Sequence, residues 1–250
     1  MLKKTLSLLL VMLTCLSCNS KKPEQINVGD NDVFSTKSGK EVSFIFIKHA
    51  SFVINYDNLS IQIDPVSKME PATDYSSFPK SDFIFVTHEH FDHFDKDAID
   101  ALTGDNTRVI LNKKCADMLG RGSAMSNGDT LKLRHDITVE AVPAYNTTAD
   151  RQKFHPKGRD NGYVLSIDGL RIYIAGDTED IPEMEHLKDI DIAFLPCNQP
   201  YTMTPEQLAH AATMIKPQVV YPYHFSDTPV DEMKKALEGA KVKAIFRNMQ

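Results

Sequence analysis

Thr87-His88-Glu89-His90-Phe91-Asp92-His93 is the most informative stretch of this chain, and it follows the apolar run Phe83-Ile84-Phe85-Val86. If the apolar run is a buried strand, the first two histidines lie at its carboxyl end, on the same side because a strand has a two-residue period. The aspartate and the third histidine fall in the following loop and can face a second, nearby point. A solvated polar loop is the alternative, but histidines without a shared role are scattered along a sequence, whereas these three are clustered. The stretch therefore predicts a pair of neighbouring divalent metal ions.

Composition limits the function classes. The chain has 250 residues, of which 42% are hydrophobic and 25% charged, which is enough for one large domain with a buried core. Its formal net charge of −6 argues against nucleic acid as a partner, because binding a polyanion requires clustered lysine and arginine. Cys115 and Cys197 are far apart in sequence and are interpreted as free thiols.

The N-terminus has the layout of an export signal. Lys3 and Lys4 precede an apolar run over residues 6–16, which is too short to span a membrane. The Ser17-Cys18 ending resembles a bacterial lipobox, with Cys15 as a competing site and cleavage without lipid as the alternative. We expect a lipoprotein signal peptide at 1–18, lipidation of Cys18 and anchoring to the membrane of the bacterial cell envelope, followed by a polar tether at 19–40.

The rest of the chain, residues 41–250, alternates strands with helices. Strands are predicted at 42–47, 51–56, 59–63, 83–87, 108–111, 130–133, 137–142, 162–167, 170–175, 190–195, 218–221 and 242–246. Helices are predicted after the N-cap Asp95, at 113–119, after the N-cap Thr204 and at 230–237. Two strand-rich halves predict an α/β (α+β) fold of two sheets packed face to face with helices outside.

Two more metal-binding residue types follow predicted strands. Asp177 lies in Gly176-Asp177-Thr178, where the glycine allows close backbone approach, and His224 follows an apolar strand in the same way. Loops just past buried strands commonly carry functional residues. Each residue alone would more often be a turn residue. It becomes evidence for a metal site only through the cluster of histidines that it can join.

Taken together, these motifs resemble those of the metallo-β-lactamase superfamily of metal-dependent hydrolases. The resemblance implies a four-layer αββα sandwich with the site at one edge, between the sheets. Three finer motifs resemble the branch of ascorbate-6-phosphate lactonases and N-acyl-phosphatidylethanolamine phospholipases: His49-Ala50-Ser51-Phe52, Ile63-Asp64-Pro65 and Gly176–Met184.

Carried over by position, the resemblance assigns ligands to two metal ions. His88 and His90 would bind the first, the second would take Asp92, His93 and His224, and Asp177 would bridge both. The chain departs from the pattern at the third ligand of the first metal, where a histidine is usual and Asn146 stands. Because neutral asparagine is a weak zinc ligand, we expect His155 to supply the missing imidazole.

The implied chemistry is hydrolysis of an ester, lactone or phosphodiester small molecule by a metal-bridging hydroxide, with Asp92 orienting the water and shuttling its proton. Zinc suits the imidazole-rich site, and manganese, iron or nickel are alternatives. His49 either orients Asp64 or a ligand, or only packs. A non-catalytic, metal-bound envelope binding protein is the competing function, kept open by the departure at Asn146.

Substrate charge is suggested by the loop around His155. Arg151, Lys153, Lys157 and Arg159 place four cations there in an otherwise acidic chain. If His155 is a ligand, this loop borders the metals, and its cations, Lys157 among them, would favour an anionic small molecule. The alternative is a solvated loop without a role in recognition.

Overall fold

Two seven-stranded sheets form the centre of the molecule, as seen in a computed structural model that describes residues 32–249. The predicted signal peptide and Cys18 lie outside the described residues. The first sheet contains β1 (Val33–Ser35), β2 (Glu41–Lys48), β3 (Ser51–Tyr56), β4 (Leu59–Ile63), β5 (Phe83–Val86), β6 (Arg108–Asn112) and β7 (Ser123–Met125). The second contains β8 (Thr130–Arg134), β9 (Ile137–Ala144), β10 (Asp160–Ile167), β11 (Leu170–Ile174), β12 (Ile192–Pro196), β13 (Val219–Tyr223) and β14 (Lys243–Ala244).

Four α-helices accompany the sheets within the described residues. They are α1 (Lys96–Leu102), α2 (Lys113–Leu119), α3 (Pro205–Ile215) and α4 (Val230–Leu237), with 3₁₀ turns at Tyr75–Ser77, Pro182–His186 and Glu238–Ala240. The predicted caps are present: Asp95 accepts the first amides of α1, and Thr204 forms a capping box with Gln207 at α3. In the part of the chain that is described, no helix is long and apolar enough to cross a membrane.

Strand direction explains why polar residues gather at one edge. In each sheet one half is antiparallel and the other parallel, with β4–β7 running parallel in the first sheet and β11–β14 in the second. The carboxyl ends of parallel strands meet at the same edge. Residues just past β4, β5, β11 and β13 therefore converge there.

Aromatic side chains fill the space between the sheets. The ring of Phe52 stacks on that of Phe194 with centroids 4.2 Å apart, and the Tyr163 hydroxyl donates to the Val86 carbonyl at 2.9 Å. On the outer face of the first sheet, Ile99 of α1 and Cys115 of α2 pack in a second apolar cluster with β5 and β6. The layers are helix, sheet, sheet and helix, which confirms the predicted four-layer αββα fold.

Short elements escaped prediction, because three residues show no recognisable period. Strand β7 is one of them, and β1 is another, which lies inside the segment 19–40 that we expected to be a tether. Phe34 of β1 is fully buried, and the neighbouring Asp32 accepts a hydrogen bond from the Tyr221 hydroxyl at 2.8 Å. The folded part of the chain therefore begins before residue 41.

Candidate metal centre

Two clusters of metal-binding side chains lie at the edge where the strands end. The first contains His88, His90, His155 and Asp177, and the second contains His49, Asp92, His93 and His224. Within each cluster, one ligand atom per residue lies within 4.8 Å of those of the other residues. All of these side chains are buried except His90 and Asp92, which are partly exposed. Each cluster draws residues from both sheets.

The carboxylate of Asp177 lies between the clusters. One oxygen, Oδ1, is 3.2 Å from Nε2 of His93 in the second cluster. The other, Oδ2, is 3.3 Å from Nε2 of His155 in the first cluster and 3.3 Å from Nε2 of His224 in the second. A single carboxylate thus reaches ligand atoms on both sides.

Three imidazoles are oriented by oxygen atoms on the side away from the centre. Such outer contacts fix ring orientation and leave Nε2 facing inward. The pairs are His93 Nδ1 with Asp64 Oδ2 at 2.8 Å, His155 Nδ1 with Asp160 Oδ2 at 3.1 Å, and His88 Nδ1 with Thr87 Oγ1 at 3.0 Å. We singled out Asp64 from the sequence but missed Asp160 and Thr87, although Thr87 opens the decisive motif.

Within the second cluster, His49 contacts both Asp92 and His224. Its Nε2 lies 3.1 Å from Oδ2 of Asp92, and its ring centroid is 3.8 Å from that of His224. Burial, followed by the neighbouring His224, lowers the pKa of His49 to about 4, so the ring is neutral near pH 7. The sequence suggested a contact to Asp64 or to a ligand, and the structure places His49 against Asp92.

The charges of the second cluster are strongly coupled. Burial disfavours the charged form of His224, but the carboxylates of Asp177 and Asp92 outweigh it and raise the pKa of the ring to about 9. Burial likewise opposes ionisation of Asp92, yet His93, His224 and His49 hold the pKa of its carboxyl well below its ordinary range. The carboxylates of Asp92 and Asp177 therefore stabilise positive charge on the neighbouring imidazole of His224.

The donor set fits divalent metal ions. Nε2 of His93, Oδ1 of Asp177 and both ring nitrogens of His224 are buried and have no partner with hydrogen-bond geometry among residues 32–249. Buried polar atoms are normally paired, so their convergence requires an explanation. Imidazole nitrogens and carboxylate oxygens are the ligands that zinc and related ions take.

His155, and not Asn146, lies with His88 and His90 in the first cluster. His155 joins the first cluster, whereas the side-chain amide of Asn146 donates to the carbonyl of Tyr201 at 2.8 Å. The main-chain N–H of Asn146 donates to the carbonyl of His155 at 2.9 Å. Asn146 thus shapes the loop, and His155 presents the imidazole.

The four cations of that loop have partners. Lys157 donates to Oε1 of Glu183 at 2.7 Å and has a side chain that is 65% exposed, outside both clusters. Arg159 lies 2.6 Å from Asp160 and 3.1 Å from Glu89, Arg151 lies 3.4 Å from Glu179, and Lys153 lies over the ring of Phe154 at 5.0 Å. Three of the four cations therefore lie beside carboxylates.

The backbone around the clusters adopts conformations that the sequence did not reveal. His49, Asp64 and His224 have φ angles of 51°, 40° and 48°, in the left-handed region that most residues avoid. Gly176 has φ 65°, and a Cβ there would lie 2.9 Å from the carbonyl oxygen of Asn161, so glycine is required. Such conformations are concentrated at functional sites.

Comparison with known proteins identifies the family. Residues 43–224 match the model of the β-lactamase superfamily domain. A crystal structure described as that of a metal-dependent hydrolase from Parabacteroides distasonis is 55% identical, with a TM-score of 0.84, and the match covers 88% of this chain and 98% of that one.

More distant relatives agree. A UPF0173 metal-dependent hydrolase from Thermococcus onnurineus is 31% identical over 219 residues, which are 80% of this chain and 94% of the relative. The metallo hydrolase Igni18 from Ignicoccus hospitalis is 26% identical with a TM-score of 0.69, and the match covers 83% of this chain and 95% of that structure. The chain belongs to the metallo-β-lactamase superfamily and is a metal-dependent hydrolase.

Proposed function

We propose that this hydrolase holds two divalent metal ions and cleaves an ester, a lactone or a phosphodiester of a small molecule. The observation that carries the proposal is the Asp177 carboxylate, whose two oxygens lie 3.2 Å from His93 and 3.3 Å from His155, in different clusters. The first ion would take His88, His90 and His155, the second would take Asp92, His93 and His224, and Asp177 would be shared. Imidazole-rich ligation favours zinc, with manganese, iron and nickel as alternatives.

The residues around the metals have separable roles. Bound divalent ions would supply a water activated near neutral pH and would stabilise negative charge developing on the substrate. Asp92, partly exposed and ionised, can orient that water and accept its proton at a carboxylate oxygen. The neutral His49 ring can donate from Nε2 to Oδ2 of Asp92 and fix the carboxylate in place. We therefore assign His49 an orienting role.

The substrate class is proposed from the sequence motifs that resemble the lactonases and phospholipases named above. The test is metal analysis of the purified protein, followed by rates on chromogenic esters, lactones and phosphodiesters. We expect two ions per chain and turnover in one substrate class, removed by a chelator and restored by zinc. Full metal content without turnover of any class would contradict the proposed substrates and favour a non-catalytic binding protein.

We propose only a modest preference for anionic substrates, because three of the four loop cations already lie beside carboxylates. Lys157→Glu should lower kcat/KM for an anionic substrate by no more than a few-fold and leave a neutral analogue unchanged. Rates measured across ionic strength provide the check, since screening weakens exposed charges. A large, salt-sensitive loss would show that Lys157 recognises the substrate directly.

We also propose that the protein is anchored to the cell envelope through a lipid on Cys18. The proposal is based on the sequence of residues 1–18, whose basic start, apolar run and Ser17-Cys18 ending match an export signal. Full-length protein should partition into detergent, and Cys18→Ala should release it or leave it unprocessed. A soluble mature protein that begins elsewhere would overturn the anchor while leaving the hydrolase assignment intact.

A further inference from the structure

Glu179 is a fully buried carboxylate two residues after Asp177. Its Oε2 accepts three hydrogen bonds, each 2.8 Å long, from the N–H and hydroxyl of Thr147 and from the N–H of Thr148. Its Oε1 lies 3.4 Å from the guanidinium of Arg151. All of these partners belong to the loop between β9 and β10, which carries His155.

The main chain strengthens the same contact. The carbonyl of Tyr145 accepts from the N–H of Glu179 at 3.0 Å and from the hydroxyl of Thr178 at 2.9 Å. In return, the N–H of Tyr145 donates to the Thr178 hydroxyl at 3.1 Å. The segment that bears Asp177 is therefore paired with the first residues of the loop.

The rest of the loop is built on this start. The carbonyl of Thr148 accepts from the N–H of Arg151 at 2.9 Å, and the N–H of Asn146 donates to the carbonyl of His155 at 2.9 Å. The loop thus folds back on itself. Its beginning, which Glu179 holds, is hydrogen-bonded to His155, the residue that presents the imidazole. Charge-assisted hydrogen bonds to a buried carboxylate are among the stronger ones in proteins.

We infer that Glu179 is a positioning residue, which fixes the loop so that the imidazole of His155 reaches the first cluster. The inference rests on the proposed function, in which His155 binds a metal ion. In a chain where Asn146 stands at the strand end, the ligand comes from a loop, and a loop needs an anchor to hold an imidazole in place. Glu179 couples that loop to the segment of the shared ligand Asp177.

The experiment measures binding of zinc alone to the full-length protein, by competition with a chromogenic chelator. Glu179→Ala should weaken binding of one ion by about 10- to 100-fold, as removal of partners that orient ligands typically does, and should leave the other ion in place. Glu179→Gln keeps one acceptor oxygen for the threonine N–H groups and should lose less. Exchange of the Thr147 and Thr148 amides with deuterium in the metal-free protein should become faster in both variants.

The matched control is Asp180→Asn, a neutralised carboxylate at the next position. Asp180 lies 2.6 Å from the ring of His210 on α3, so its carboxylate is directed to a helix and not to the threonines that Glu179 holds. Its zinc affinity and its Thr147 exchange should match those of the unmodified protein. If Asp180→Asn weakened zinc binding as much as Glu179→Ala, the specific role of Glu179 would be overturned.

A double variant separates this inference from the proposed function. His155→Ala should weaken the same ion, and Glu179→Ala combined with His155→Ala should be no worse than His155→Ala alone, because both act through one ligand. If His155→Ala leaves zinc binding unchanged, the ligand assignment itself fails. If His155→Ala weakens zinc binding but neither Glu179 variant does, only the positioning role is overturned. The same holds if the Glu179 variants lose both ions together. Should Glu179→Ala fail to fold, Glu179→Gln decides.

Discussion

The two ends of the β-sandwich both gather charged side chains, but they arrange them differently. At the end opposite the clusters, Arg134 reaches Asp136 at 2.6 Å and Asp57 at 3.0 Å, and the Tyr56 hydroxyl donates to Asp136 at 2.8 Å. These groups are at least partly exposed apart from Tyr56, and each carboxylate has a cationic partner. The network is an ordinary surface arrangement of alternating charges.

At the metal end, groups of the same kind are crowded together and buried. The rings of His88 and His93 have centroids 4.1 Å apart, and those of His49 and His224 are 3.8 Å apart. Burying several ionisable groups without complete pairing costs free energy. One end therefore stabilises the fold by itself, whereas the buried charges of the other end lower the stability of the metal-free fold, which a bound cation can restore.

The largest expected effect comes from Asp177→Asn, which keeps the size of the shared ligand and removes its charge. Because both clusters use this carboxylate, metal content and kcat/KM should fall together, by at least about 100-fold, beyond the range seen for outer partners. Metal analysis and rates on the substrate found in the panel provide the measurement. Asp136→Asn, the same change at the opposite end, should alter neither. Full retention of both ions in Asp177→Asn would contradict a shared ligand.

The next effect is the dependence of metal affinity on pH. The pKa of His224 is raised to about 9, so below that pH the metal-free protein carries a proton that a metal must displace. Apparent affinity should therefore fall about tenfold per pH unit, for each displaced proton, as pH is lowered from 9 towards 7. Competition titrations at several pH values, with calorimetry to count released protons, test this. Affinity independent of pH over that range would contradict it.

The same proton on His224 weakens metal binding but stabilises the folded state of the metal-free protein. Since the folded pKa of His224 lies above its unfolded value of 6.5, its contribution to stability is complete below 6.5 and is lost as pH rises through about 9. Metal-free protein should become less stable over this range, while the gain from added metal grows.

The smallest effect is expected at the opposite end. Arg134→Ala removes partly exposed ion pairs, so it should lower the melting temperature by at most about 3 °C and leave zinc affinity unchanged. Metal removal should do more: at a free zinc concentration 100 times Kd, bound metal adds about 2.7 kcal/mol per independent site. Thermal unfolding with and without chelator gives both numbers. A larger loss of thermal stability after Arg134→Ala than after chelation would contradict the expected order of the two effects.

The sequence predicted much of this arrangement because periodicity and capping are local. The runs that became β3, β4 and β5 were recognisable, as were the caps of α1 and α3, and motif order placed Asp177 and His224 at strand ends. The place of His155 in the first cluster was predictable because the family resemblance puts a histidine where Asn146 stands and another histidine lies in the following loop.

Other features depend on contacts between distant segments and leave no local pattern. Glu179 matters only because its segment pairs with Tyr145, more than thirty positions away. Asp160 is only five positions from His155, but its contact with the ring depends on how the loop folds before β10 begins. The four loop cations looked free in sequence, but three of them lie beside carboxylates on other segments of the chain, at positions 89, 179 and 183. The left-handed conformations of His49 and His224 are likewise not evident from the sequence, because only a few per cent of non-glycine residues adopt them and the residue type does not say which.

Each cluster takes residues from both sheets, and this affects the order of folding events and the rate of unfolding. His49 belongs to the first sheet and His224 to the second, and the N–H of His224 donates to the carbonyl of His49 at 2.9 Å. Neither cluster can be assembled until the two halves of the chain have docked, so metal capture is a late event that follows slow, non-local contacts. A captured ion would close a loop over residues 88–177 at the first cluster or 92–224 at the second, as a cross-link would. Its main effect is then to retard unfolding rather than to speed folding.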